Sequence, residues 1–287
     1  LDLSTRLRQN GSDTGAVPCR GPSERAIAMY YRPFSGTRVV VALMLREMAS
    51  TYGRSPGGYL WVLLEPLAGI ALMTVVFSYA FRTPPLGSNF ALFYASGFLP
   101  FTAYTGLTAK MGGAIRYSRP LLAYPAVTYF DALLSRFLLG FITKLLLAIL
   151  VIWGVHIAYG LELALDFGRL LNAFGMIAVL SFGFGAVNCY LFGAFPIWEQ
   201  FWSILNRPLF IISGLFFLID SVNEQARSLL LWNPVAHIIS EMRAGLFPIY
   251  DAQYASPFYV YSVGTVSTFF GLLMLYRHHR FLITEGA

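Results

Sequence analysis

From residue 60 onward the chain runs in apolar stretches of roughly 20 residues, the length a helix needs to cross a hydrocarbon core. Its charged residues collect between those stretches. A soluble α/β chain of this size would punctuate its apolar strands with Asp, Asn, Gly and Lys at much shorter intervals. Only 12% of the 287 residues are charged and 57% are hydrophobic, against about 25% charged in an average soluble domain. Too little polar surface remains to cover a water-exposed fold. The composition therefore predicts an integral membrane protein.

Six stretches qualify as spans: 60–81, 90–108, 133–159, 170–195, 201–219 and 257–276. The second is softened by Gly97, Pro100 and Gly106, and the fourth is rich in glycine through "SFGFGAVN" (181–188). The fifth has a short apolar core and carries Arg207 and Pro208, which predicts a kinked end with the arginine snorkelling toward headgroups. Residues 229–247 are apolar but hold Asn233, Pro234, Glu241 and Arg243. A full crossing would drive those charges deep into lipid, so a re-entrant hairpin shielded by protein is expected. The fold class read from the sequence is an all-α integral membrane protein. It has six transmembrane helices, an N-terminal amphipathic interfacial helix, and a re-entrant periplasmic-side hairpin after the fifth span.

Six spans place both termini on one side. Of the 20 Lys and Arg, 15 fall on that side, Arg82, Arg169, Arg227 and Arg243 fall on the other, and Lys144 lies within a span. The excess marks the side of the termini as cytoplasmic. The net charge of +6 thus sits mainly beside the apolar runs, and no nucleic-acid partner is expected. Residues 1–33 read as a flexible cytoplasmic segment, 34–280 as the transmembrane domain and 281–287 as a short tail. The first apolar run begins too late for a classical signal peptide. In residues 34–53, Val39, Val40, Leu43, Met44 and Met48 share a helical face, with Arg38, Arg46 and Glu47 placed off it, as in an interfacial amphipathic helix.

The seam "RSPGGYLWVLLEPLAG" (54–69) leads into the first span. Arg54 and the glycines mark the turn into the membrane, and Trp61 suits the headgroup level. Pro66 comes too late for a first-turn proline, so a local kink is expected. Glu65 is expected to face protein or an aqueous lumen, with a basic group nearby. The link 110–136 is broken by Gly112, Gly113, Pro120 and Pro125, and its "SRPLLAYP" turn suits a compact basic knob.

Catalytic signatures are missing. The sequence has no GxxxxGK[ST] loop for ATP and no HExxH, CxxC or GxSxG pattern. Cys19 and Cys189 lie in unlike segments and imply neither a disulfide framework nor a metal centre. No catalytic, cofactor-binding or metal-binding residue is assigned.

"LREMASTYGRSPGGYLWVLLEPL" (45–67), the Arg/Pro-marked link near 116–125 and "LWNPVAHIISEMRAG" (231–245) carry a resemblance. The chain resembles the transmembrane subunit of class-two ABC exporters for polysaccharides, especially the capsular polysaccharide permeases of Gram-negative bacteria. The resemblance implies a homodimer with two separate ATPase subunits, which use ATP and Mg, and no ATPase site in this chain. It implies an inner-membrane location, a lipid-linked and acidic capsular polysaccharide as substrate, and room for a periplasm-spanning export adaptor. Carried onto this sequence, residues 112–125, with Arg116, Arg119, Pro120 and Pro125, resemble a coupling helix seated in the ATPase. The 196–207 link, with Glu199 and Arg207, resembles a second cytoplasmic contact. Residues 220–250 resemble a pair of short re-entrant helices near the exit. Alternatives are a class-two permease for another lipid-linked glycan, lipid or drug, and a membrane-embedded transferase. The transferase would need acids or histidines converging at one membrane face.

Overall fold

The computed structural model describes residues 35–52, 58–122, 127–161 and 164–284. The 1–33 segment, Arg54, Pro125 and the end of the 281–287 tail lie outside the described residues. Among the described residues all regular structure is helical: α1 (Ser35–Tyr52), α2 (Gly58–Ala80), α3 (Phe90–Gly112), α4 (Ala114–Leu122), α5 (Tyr129–Tyr159), α6 (Phe167–Ala194) and α7 (Pro196–Ile212). A 3-10 turn (Ile219–Ser221), α8 (Glu224–Leu230), α9 (Pro234–Leu246) and α10 (Pro257–Thr284) complete the chain.

Helix ends are set by local chemistry. The Asn89 side chain accepts from the Ala91 and Leu92 amides at the start of α3. Thr128 and Asp131 form a reciprocal capping box on α5, and Gly160, at φ +60°, closes it in a conformation that favours glycine. α5 has 31 residues, about 46 Å of helix, longer than a hydrocarbon core. Among the described residues four helices are both long and apolar enough to cross a membrane: Leu60–Ala80, Tyr129–Tyr159, Phe167–Ala194 and Pro257–His278.

The two remaining expected spans differ from these in kind. α3 is the centre of the molecule, packed against α2, α5, α6 and α9, with most of its residues buried. Its Gly, Ala, Ser and Thr positions dilute its hydropathy because they face neighbouring helices at short range rather than lipid. α7 begins at Pro196, five residues earlier than the expected span, and ends at Ile212. It runs through Pro208. The chain leaves the helix at Ser213 and turns at Gly214, where φ is +77°. Residues 213–218 are therefore irregular backbone, not the end of a 19-residue helix.

Pro120, expected to break the 110–136 link, lies inside α4 instead. It sits on the exposed side, where the Arg116 carbonyl that loses its i+4 donor can meet water. α6 and α10 pack backbone to backbone. A Cβ on Gly264 would lie 3.0 Å from the Leu180 amide nitrogen, and one on Gly271 would lie 2.7 Å from that of Val187. Small residues permit this approach where apolar burial supplies little drive in lipid. α6, one member of this pair, also packs against α3.

Candidate functional site

Three sets of polar groups are built into this apolar frame. The first lies where α1, α3, α4 and α5 meet. Glu47 of α1 is 3% exposed. The Arg136 Nε donates to its Oε1 at 3.3 Å, and the Lys110 Nζ lies 3.7 Å from the same oxygen. Arg136 also donates to the Gly113 carbonyl at 2.9 Å and stacks 4.3 Å over the Tyr117 ring. The Tyr117 hydroxyl is 2.6 Å from Ser50 Oγ. One carboxylate thus gathers α1, α3 and α5, and Tyr117 brings in α4. This corrects the expectation that Glu47 stands off the apolar face of α1. It lies four residues after Leu43 and three after Met44, on the inward stripe.

Next to it, Arg116 of α4 grips Glu199 of α7 with two parallel hydrogen bonds, 2.9 and 3.1 Å long. Those bonds hold the Arg116 charge above its ordinary pKa. The two residues are 83 positions apart in sequence, and the structure brings them together. Arg119 and Pro120 are exposed on α4. Arg207 is exposed about two turns beyond Glu199 along α7 and does not join the pair.

The second set lines a half-open cavity of about 210 Å³ between α2, α3 and α5. Glu65 of α2 shares it with Lys110 of α3 and with Thr143 and Lys144 of α5. Glu65 is itself exposed, and the basic groups that line the same cavity are lysines. Trp61, one turn earlier, is exposed. Pro66 is accommodated within α2.

The third set surrounds α9, whose residues from Val235 to Leu246 are all buried. Asn233 caps the helix, its side chain accepting from the Val235 amide at 3.0 Å. Its amide nitrogen donates to Ser213 Oγ at 2.9 Å, tying α9 to the end of α7. Pro234 occupies the first turn, where its missing N–H costs nothing. Glu241 accepts from Asn172 of α6 at 3.0 Å, and Asn172 accepts from the Tyr261 hydroxyl of α10, also at 3.0 Å.

Arg243, 1% exposed, donates to the Leu215 and Phe217 carbonyls at 2.8 and 2.9 Å and lies 4.3 Å over the Phe93 ring. It therefore satisfies the irregular backbone that follows α7, as buried carbonyls require. A guanidinium keeps its charge even when buried in this way. Glu241 and Arg243 do not pair with each other, because residues two apart on a helix point to different sides. His237 is buried on α9. It accepts from the Ser256 amide through Nδ1, which leaves Nε2 to donate to the Leu231 carbonyl at 2.9 Å.

The sequence reading missed Glu47, Tyr117, Asn172 and Tyr261. Only Glu47 had a signal, its helical spacing from Leu43 and Met44. Among the described residues no group of three or more His, Cys, Asp or Glu could hold a metal ion.

Residues 38–247 match the family described as ABC-2 type transporter, a stretch running from α1 to the end of α9. The chain belongs to the ABC-2 transporter family. Its curated relatives include the polysialic acid transport protein KpsM of Escherichia coli, 28% identical over 249 residues, covering 86% of this chain and 95% of that one. The capsule polysaccharide export inner-membrane protein CtrC of Neisseria meningitidis serogroup B is 28% identical over 239 residues, covering 83% and 90%. BexB of Haemophilus influenzae, which carries the same description, is 27% identical over 215 residues, covering 73% and 79%. The family match runs without a break from before Glu47 to beyond Arg243.

Proposed function

We propose that this chain is the permease of an ATP-driven exporter that moves capsular polysaccharide across the bacterial inner membrane. The observation that carries the reading is the alignment along most of both chains with export proteins of three genera. In this reading the chain works as a homodimer with two separate ATPase subunits, which hold ATP and Mg. α2, α3, α5, α6, α7 with residues 213–219, and α10 make six crossings, both termini are cytoplasmic, and α8 and α9 form the re-entrant hairpin at the periplasmic side. The cargo is a lipid-linked polymer whose hydroxyls would lose their hydrogen bonds in lipid, so it needs an enclosed path. A periplasm-spanning adaptor receives it. The chain performs no covalent chemistry. Force enters from the partner through contacts that differ between its nucleotide states.

α4 fits the part of a coupling helix. It is short and amphipathic, it presents Arg116, Arg119 and Pro120, and it is joined to α7 by the bidentate pair. Because both side chains of that pair are about half exposed, its loss should cost no more than about 1 kcal/mol of stability. A stronger effect is expected on coupling. In Arg116→Glu the folded yield should hold while ATP hydrolysis in the co-purified complex no longer drives export, and adding Glu199→Arg should restore part of it. Co-expression with the candidate ATPase, pull-down and a capsule assay read this directly. A chain that retains no ATPase and exports nothing would overturn the function. Export equal to wild type in Arg116→Glu would remove the coupling role.

A further inference from the structure

Lys144 stands midway along the 31 residues of α5, where an ammonium group is costly unless it pairs or meets water. It takes part in none of the ion pairs among the described residues. Its side chain crosses to α3 and lies along Gly106. A Cβ there would meet its Cε at 3.1 Å and its Nζ at 3.4 Å. Lys110 makes the reciprocal crossing from α3, with its Cδ 3.5 Å from a Cβ placed on Gly140 of α5. Both lysines and both glycines line the same cavity, with Glu65 facing them from α2. Glu65 is the opposite charge acting on Lys144, and Lys110 the like charge. Lys110 is itself drawn toward Glu47.

We propose that this cavity binds one anionic group, a carboxylate or a phosphate, held mainly by Lys144, with Glu65 as a built-in competitor that yields when the anion arrives. At about 210 Å³ the space is smaller than the usual pocket for a whole small molecule. It suits a single charged group on a larger chain. A competing carboxylate keeps the hold weak, as a transport path requires, since a group must leave as readily as it enters. The source of the anion rests on the exporter reading. It is either an acidic sugar of the polymer or a phosphate of a lipid.

The test uses the full chain with its ATPase partner in phosphatidylcholine nanodiscs. The acylation rate of Lys144 is followed by peptide mass spectrometry. Oligosialic acid should slow it severalfold, while an uncharged dextran of equal length should leave it unchanged. Slowing by added phosphatidylglycerol instead would assign the site to a lipid phosphate and equally support an anion site. Lys144→Gln should weaken oligosialic acid binding about tenfold and Glu65→Gln should tighten it. The proposal is overturned if neither anion protects Lys144, or if both variants bind the protecting anion as wild type does. Full export from a complex whose Lys144 is never protected would remove this inference and leave the exporter reading standing. A protected Lys144 in a chain that recruits no ATPase would support the site and remove that reading.

Discussion

Replacing Glu47 by alanine should be among the most damaging single changes in this chain, with a loss of roughly 3–5 kcal/mol of stability. The carboxylate is buried, and two cations, Arg136 and Lys110, are arranged on one of its oxygens. The pair need not contribute much relative to apolar residues of the same volume, because desolvation offsets most of the attraction. Removing one member is different. Arg136, with its side chain only 12% exposed, would keep the Gly113 carbonyl and the Tyr117 face but lose its counter-charge. α1 would then lose its main tether to α3 and α5, and with it the Ser50–Tyr117 contact to α4. The thermal midpoint of the purified protein, followed by fluorescence-detected size exclusion, checks this. Glu47→Ala should melt far below wild type, and Glu47→Gln combined with Arg136→Met should recover part of the loss by removing the orphaned charge. A midpoint equal to wild type in Glu47→Ala would refute the tether.

Arg243→Ala should be comparably severe for a different reason. Here the guanidinium serves backbone, not a carboxylate. Without it the carbonyls of Leu215 and Phe217 lose their donors, at about 1–3 kcal/mol each. The contact over Phe93 goes as well. Arg243→Lys keeps the charge, but a single ammonium cannot reproduce a planar fork that reaches two acceptors and stacks on a ring. Both variants should therefore lower the thermal midpoint, the lysine less than the alanine. If α8 and α9 belong to the exit, export should fall even where protein accumulates. A lysine variant as stable and as active as wild type would show that the fork geometry is immaterial.

These two residues also show where the sequence was legible. The apolar runs that become α2, α5, α6 and α10 announce themselves, because lipid demands length and hydropathy and little else. α3 is harder to place. Gly97, Gly106 and its threonines look like a weakened span, yet Gly97 sits where Arg243 comes closest and Gly106 where Lys144 lies. The small residues record neighbours that only the fold supplies. Arg116 and Glu199 were visible as members of two separate segments, but no local pattern joins residues so far apart. Arg243 stood out as a charge in an apolar stretch. Its partners did not, since they are carbonyls and every residue has one. Glu47 could have been placed from its spacing after Val40, Leu43 and Met44, but its charge suggested the solvated side of the helix. The chemistry of a buried carboxylate depends on Lys110 and Arg136, which arrive from two other helices.

The central claim is that the chain carries capsular polysaccharide out of the cell. Its most direct test is the location of the polymer in a capsulated host from which this chain is removed. Surface polysaccharide should disappear while polymer accumulates inside the inner membrane, and the intact chain supplied in trans should return it to the surface. Surface polymer unchanged after loss of the chain would contradict the account.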